Sequence, residues 1–211
     1  MIRRIISTGG DVVIELSSAA SVLSSTVDGG LRYGVRFIIH HHVPKDFNAD
    51  PATEVKVTHV RLGINSNEAV TFLTAAELPK SHVIHNEQHG DIDITVSVTM
   101  GLSNPYRIDG PRVIEMWRGS STVNIAIIVN RPLAVTAMVD AIALSAEAKH
   151  ETLSSLSGGR LHGTTSDALA IVSLGEGEPE PYAGPATRVG KAIVSSIHNA
   201  LTKAYTIVES G

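Results

Sequence analysis

The stretch Gly119-Ser-Ser-Thr-Val-Asn-Ile-Ala-Ile-Ile-Val-Asn-Arg-Pro-Leu133 decides the fold. It alternates at first and then becomes continuously apolar from Ile125 to Val129, between a glycine and a proline, which is typical of a buried strand. From Leu133 to Leu156 the apolar residues recur at helical spacing, and Gly158-Gly159 ends the predicted helix. If the next strand, Ala168–Leu174, runs parallel to the first, the three elements form one right-handed crossover unit.

The other elements are predicted by working outward from this unit. The pattern indicates an α+β (mixed α/β) fold of a single domain, a mixed β-sheet packed against helices. The predicted elements are a hairpin (Ile2–Ile6 and Val12–Leu16), a loop (Ser17–Gly30), strands (Tyr33–His42, Val70–Leu73, Ile92–Met100 and Val113–Trp117), a turn or short helix (Glu77 to about Ile84), a loop (Gly101–Gly110), and helices from Pro51 to Gly63 and from Thr187 to Ala204.

Composition excludes several classes of function. The chain has 211 residues, a net charge of −4, 4% aromatic residues and no basic run, which argues against nucleic acid as a partner. Without cysteine there is no disulfide, no thiolate metal site and no cysteine nucleophile. No apolar run reaches the length of a membrane span and no signal peptide is present, so we expect no membrane partner and a cytoplasmic protein. A homo-oligomer is possible.

Two groups of histidines raise the alternative of a metal-dependent hydrolase. His40 and His42 share one face of a predicted strand, and His82, His85 and His89 could share one face of a helix. However, the second group has no standard zinc spacing, so we expect His82, His85 and His89 to be solvent-exposed, and we predict no protein-bound metal.

Several motifs together resemble the adenosylcobinamide amidohydrolase family, which serves cobamide salvage in archaea and bacteria. The family's run Thr-Ala-Gly-Val-Ser-Asn-Ala-x-Arg-x-Gly-Asp corresponds to Thr99-Met-Gly-Leu-Ser-Asn-Pro-Tyr-Arg107-Ile-Asp109-Gly110. Further matches, in the family's order, are Asp28-Gly-Gly30, Val43-Pro-Lys-Asp-Phe47, Ser121-Thr-Val-Asn124, Ala146-Glu-Ala-Lys-His150, Gly163-Thr-Thr-Ser-Asp167 and Tyr182-Ala-Gly-Pro-Ala-Thr187. The chain departs from the family at Asp28 for Asn, Pro105 for Ala, Ser166 for Thr and Ala186 for an expected His.

The resemblance implies hydrolysis of the amide between the aminopropanol arm and the corrin ring of adenosylcobinamide, giving adenosylcobyric acid. The cobalt arrives with the corrinoid substrate, so no further cofactor is expected. Such a reaction needs a nucleophile, a base, oxyanion donors and an acid. We predict Asp167 or Glu147 as the base and Lys149 as its modulator or the acid, with Asn104, Thr122 and Asn124 as oxyanion donors. A nucleophile at Thr122, Thr164 or Thr165 stays open. The predicted substrate-binding residues are Gly29, Gly30, Ser103, Asn104, Arg107, Gly163, Thr164, Thr165 and Thr187.

The departures keep a second reading open. A corrinoid-binding or regulatory protein on the same scaffold, without hydrolysis, would also carry most of these motifs. The changes at Asp28 and Ala186 are the features that favour it.

Overall fold

The computed structural model describes residues 1–116 and 120–210. The strands are β1 (Ile2–Thr8), β2 (Asp11–Ser24), β3 (Gly30–His42), β4 (Ala69–Thr74), β5 (His82–His89), β6 (Ile92–Met100), β7 (Pro105–Asp109), β8 (Arg112–Glu115), β9 (Val123–Val129), β10 (Gly163–Thr164) and β11 (Ala168–Ser173). The helices are α1 (Pro51–Leu62), α2 (Val135–Ser157) and α3 (Arg188–Glu209), with a short 3₁₀ turn at Ser66–Glu68.

Eight strands form one mixed sheet, which confirms the predicted α+β class. Its order is β4-β3-β2-β11-β9-β6-β5, and β1 pairs with the first half of β2. β3 and β4 are parallel, as are β9 and β11, and the remaining pairs are antiparallel. The strand–helix–strand unit β9–α2–β11 therefore has the predicted parallel strands. A second, three-stranded sheet has the order β10-β7-β8.

The two faces of the large sheet bury different partners. Ile125, Ile127 and Ile171 pack in a core with α2 and α3. Ala126 and Ile128, on the other face of β9, pack in a second core with residues of β2, β3 and β4. Both faces of β9 are thus buried, which explains its continuous apolar run. The sheet curls so that β4, at its edge, approaches β9: the Asn124 side-chain amide at the start of β9 donates to the Leu73 carbonyl on β4 at 2.8 Å.

A charge cluster built on the buried Asp11 and His41 fixes α1 to the sheet. His41 Nδ1 bonds Asp11 at 2.6 Å and its Nε2 bonds Glu54 at 3.0 Å, while Arg61 reaches the other Asp11 oxygen at 2.7 Å. Burial would lower the pKa of His41, but its bonds to the two carboxylates raise that pKa above its ordinary value. Burial would raise the pKa of Asp11, but His41 and Arg61 lower it. The cluster joins β2, β3 and α1 through charged hydrogen bonds.

Three local predictions were wrong in part. The predicted loop Ser17–Gly30 continues as strand to Ser24, the residues before Ile84 enter strand β5, and the loop Gly101–Gly110 contains β7. The end of β2 pairs with β11, which is far away in sequence and leaves no local trace there. β5 and β7 instead form hairpins with the strands that follow them, β6 and β8, and the sequence analysis did not identify these local pairs. The predicted strand Val113–Trp117 is observed as β8, and Trp117 lies outside the described residues.

The sequence indicates correctly where α2 ends and where α3 begins. Gly158, with φ +65°, ends α2 in the left-handed conformation, and its N–H reaches back to the last turn. Thr187 caps the N-terminus of α3 by accepting a hydrogen bond from the Gly190 N–H. Within the described ranges, no helix has the length and apolar character needed to cross a membrane.

Candidate active site

The Asp167 carboxylate lies at the centre of a buried polar cluster, in the turn between β10 and β11. Its Oδ1 accepts from the Val123 N–H at 2.9 Å and from the Thr164 hydroxyl. Its Oδ2 accepts from the Thr164 N–H at 3.0 Å and from the Lys149 ammonium. Four donors from three segments of chain therefore hold one carboxylate, which compensates for its removal from water.

Lys149 reaches this carboxylate from α2. Its side chain is 7% exposed and that of Asp167 8%, so the pair is a buried ion pair. The ammonium also lies 5.9 Å from the centre of the Tyr106 ring on β7. The crossover positions the pair. The parallel strands β9 and β11 bring Val123 and Asp167 side by side, and α2, which connects the two strands, carries Lys149.

Gly163 allows the chain to approach this pair closely. A Cβ at this position would lie 2.4 Å from Asp167 Oδ2, 2.8 Å from Lys149 Nζ and 2.9 Å from the Tyr106 ring. All three distances are below real Cβ contacts, so a side chain here would displace the ion pair or the tyrosine.

Asn104 connects the loop after β6 to the same turn. Its side-chain amide donates to the Thr165 hydroxyl at 2.8 Å, and its carbonyl oxygen accepts from the Ser121 hydroxyl at 2.6 Å. Ser121 Oγ in turn accepts from the Ser103 N–H at 2.7 Å. Asn104 is 2% exposed, so these bonds fix an amide group in a buried position.

Thr122 and Asn124 form the third part of the cluster. The Thr122 hydroxyl lies 2.8 Å from Asn124 Oδ1 and 3.0 Å from the Ser166 carbonyl. Because Asn124 Nδ2 donates to Leu73, both ends of its amide have partners. The segment that starts β9 is thereby held against the turn that carries Asp167.

Three clefts meet at this cluster. We call them the inner cleft (about 280 Å³; Phe72, Thr122, Asn124 and Asp167 among its walls), the flap cleft (about 350 Å³; Tyr106, Val113, Glu115, Lys149, Thr164, Thr165 and Asp167) and the helix-end cleft (about 740 Å³; His42, Lys45, Ser103, Ser120, Ser121 and Val208 among its walls). Asp167 lines both the inner and the flap cleft, and Ser121 lines both the inner and the helix-end cleft. A large ligand at the junction would therefore contact the polar cluster from more than one side.

Some of the predicted site residues lie away from the cluster. Glu147 is on the exposed side of α2, two positions from Lys149, so the two side chains leave the helix in different directions. Thr187 starts α3 beside Arg188, which pairs with Asp91 at the β5–β6 turn, whereas Val208 near the other end of α3 lines the helix-end cleft. A helix of 22 residues is about 33 Å long, so Thr187 is at the opposite end of the sheet.

Three further predicted residues lie near the clefts without contacting the cluster. Arg107 projects from β7 toward Asp109, with an Nη2–Oδ2 distance of 3.5 Å. Gly29 and Gly30 follow the turn at residues 25–27, which lines the inner cleft. Gly29 is required there, because a Cβ would lie 2.5 Å from Ser24 Oγ.

The histidines are distributed over separate contacts. His40 and His82 both bond the Ser97 hydroxyl at 2.8 Å, and the His40 ring stacks on Phe72. Burial lowers the pKa of His82 to about 4 and, with a smaller effect from His82, lowers that of His40 well below its usual value. His82, His85 and His89 are each partly buried, so the prediction that these three histidines are solvent-exposed is wrong. Within residues 1–116 and 120–210, no group of three acidic or histidine side chains has the geometry to hold a metal ion.

Sequence reasoning missed two residues of the site. Ser121 organises Asn104 and Ser103, and Tyr106 covers Lys149. Both stand inside the quoted motifs, but nothing in the sequence shows that β7 folds over the end of α2.

Comparison with known proteins identifies the family of this chain. The model of the adenosylcobinamide amidohydrolase family matches residues 3–209. A protein of Halobacterium salinarum named adenosylcobinamide amidohydrolase is 36% identical over 113 residues, which are 51% of this chain and 48% of that protein. The alignment thus spans about half the length of this curated relative. Because the family model covers nearly the whole chain, the protein belongs to the adenosylcobinamide amidohydrolase family.

Proposed function

We propose that the protein hydrolyses the amide joining the aminopropanol arm to the corrin ring of adenosylcobinamide, releasing aminopropanol and adenosylcobyric acid for cobamide salvage. The family assignment supports this reaction class. The observation that carries it is the convergence of Asp167, Lys149, Thr164 and Asn104, from three segments of chain, in one polar cluster that borders the clefts.

The clefts suit a bulky substrate that is cut on a side arm. Pockets that enclose a drug-sized ligand measure about 300–1,000 Å³, and a corrin ring is larger than the inner or the flap cleft. We propose that the ring lies across the mouths of the clefts while the arm enters, which places its amide beside Asp167.

Each group then has a chemical role. Asp167 takes the proton of the attacking hydroxyl or water. Lys149 supplies a fixed positive charge beside the oxyanion, where its low exposure strengthens the interaction. Asn104 is 2% exposed and lines none of the three clefts, so it acts as a positioning residue: its side-chain amide holds the Thr165 hydroxyl at the wall of the flap cleft. We expect no catalytic metal, and activity that chelation abolishes and zinc restores would refute this.

The departures from the family do not favour loss of activity. Asp28 accepts hydrogen bonds through Oδ1 from Thr26 and from the Thr71 N–H, both at 3.0 Å, which an Asn could accept equally. Ala186 precedes the cap of α3, at the far end of the sheet. Ser166 donates to the Ser121 carbonyl, as a Thr would. The hydrolase is therefore preferred over a corrinoid-binding protein without activity.

The test is incubation of the purified protein with adenosylcobinamide, with mass spectrometry of free aminopropanol and of the corrinoid product. The wild-type chain should release both in equal amounts. Asp167→Asn should bind the corrinoid but turn over at least about a hundredfold more slowly. Corrinoid binding by the wild-type chain without any release of aminopropanol would refute the proposal and favour the binding protein.

A further inference from the structure

We propose that Thr164 is the nucleophile, and that the reaction passes through an ester between its hydroxyl and the corrinoid carboxyl group. This inference rests on the proposed amide hydrolysis. It is drawn from the hydrogen bonds of the hydroxyl groups in the cluster, which differ in one chemically decisive respect.

A threonine hydroxyl is a weak nucleophile unless a base accepts its proton. The Thr122 hydroxyl is placed against amide oxygens, those of Asn124 and Ser166, which are not bases at neutral pH. The Thr165 hydroxyl accepts a hydrogen bond from the Asn104 amide. Neither arrangement increases the nucleophilicity of the oxygen.

Thr164 differs because its hydroxyl donates to the Asp167 carboxylate. Of the hydroxyls in the cluster (Ser121, Thr122, Thr164, Thr165 and Ser166), Thr164 alone donates to a carboxylate. The Thr164 N–H also donates to Asp167, at 3.0 Å, so the base and the hydroxyl are held in one orientation. The order Thr164–Asp167–Lys149 therefore places nucleophile, base and fixed cation in series.

Access and orientation agree with this role. Thr164 is 2% exposed, yet it lines the flap cleft together with Tyr106, Lys149 and Asp167. Its strand β10 is fixed on one side by β7, through the pairing of Thr164 with Pro105. A substrate arm that enters the flap cleft would therefore meet the Thr164 hydroxyl beside the ammonium that stabilises the oxyanion.

The chemical steps balance without a further reactant. The Thr164 oxygen forms a bond to the amide carbon while its proton passes to Asp167. The C–N bond then breaks as the nitrogen takes that proton from Asp167, and aminopropanol leaves. Water attacks the resulting ester, giving its proton to Asp167, and the Thr164 oxygen leaves with that proton. The sum is amide plus water to acid plus amine, and Lys149 keeps its charge throughout.

The experiment uses hydroxylamine as a second acceptor for the acyl group, together with variants at Thr164. With an ester intermediate formed in a rate-limiting step, hydroxylamine diverts product to the corrinoid hydroxamate while the rate of aminopropanol release stays constant. Thr164→Ser should give the same ratio of hydroxamate to acid as the wild type, and its kcat should stay within about tenfold of the wild-type value. Thr164→Ala should lose about a thousandfold or more while still binding the corrinoid. Thr136→Ala, an exposed threonine in the first turn of α2, is the matched control and should leave kcat unchanged.

Two results would overturn the inference. One is a Thr164→Ala variant whose kcat stays within about tenfold of the wild-type value. The other is wild-type protein that releases aminopropanol without forming hydroxamate, or whose rate of aminopropanol release rises in proportion to the hydroxylamine concentration. If Thr164→Ala does not fold, the ratio of corrinoid hydroxamate to corrinoid acid formed by the wild-type protein still tests the inference. Absence of aminopropanol release from wild type would instead refute the proposed function, so the two failures are distinguishable.

Discussion

Replacing Lys149 by Met is the most informative single change, because it removes the charge while keeping most of the buried side-chain volume. Breaking a buried ion pair by removing one partner costs about 3–5 kcal/mol when the remaining charge is left without compensation. Here Asp167 keeps three donors, the Val123 and Thr164 N–H groups and the Thr164 hydroxyl. We therefore expect the lower cost of one charged hydrogen bond, about 2 kcal/mol.

For a chain of this length, that loss corresponds to a decrease in Tm of about 4–8 °C. The same change should lower kcat for aminopropanol release at least about a hundredfold, because it removes the cation that faces the developing oxyanion. Denaturant unfolding and an aminopropanol assay on the same preparation measure both effects. Lys191→Met, an exposed lysine in the first turn of α3, is the matched control and should change stability by no more than about 0.5 kcal/mol.

A double-mutant cycle with Asp167→Asn tests the reasoning itself. If the two side chains stabilise each other, the double variant should lose less unfolding free energy than the sum of the single variants. Additive losses, or a Lys149→Met variant with wild-type Tm and kcat, would refute the account of the buried pair.

Four further predictions follow from the contacts. Gly163→Ala should lower kcat more than tenfold while the protein stays folded, since its Cβ would meet both partners of the ion pair; wild-type kinetics would contradict this. Thr187→Ala should cost about 1 kcal/mol of stability as a lost helix cap and leave kcat unchanged, and a kcat defect in the folded variant would instead support a substrate role. Because burial lowers the pKa of His82 to about 4, its share of the stability lost as the pH falls from about 6.5 to 4 is about 3 kcal/mol; His40 adds to the same decrease, so urea titrations of His82→Asn should show a smaller decrease than wild type, and an unchanged decrease would contradict this. His41 has a raised pKa, so its contribution is complete below about pH 6.5 and is lost as the pH rises through its folded pKa; in His41→Asn this loss of unfolding free energy with rising pH should be absent.

The sequence was sufficient to predict a helix or strand where the residues that determine it lie within the element itself. The apolar run of β9, the Asp50-Pro51 start of α1 and the Gly158 end of α2 each follow from side-chain chemistry within a few residues. The prediction of Asp167 with Lys149 as site residues came from motif order alone, and their contact depends on the crossover that brings α2 back to β11. Local patterns failed at the end of β2, because its partner β11 is far away in sequence. β7 pairs with the distant β10 but also with β8, which follows it directly, so only part of that failure has a long-range cause.

The sequence by itself therefore determined the fold class, the family and a set of polar residues from which the site could be built. Only the tertiary structure decided which members of that set meet. It brings Thr164, Asn104 and Lys149 to Asp167, places Glu147 on the exposed side of α2, and leaves Thr187 a helix length away. The physical reason is that hydrogen bonds and ion pairs depend on distances of about 3 Å in space, whereas motif order records only position along the chain.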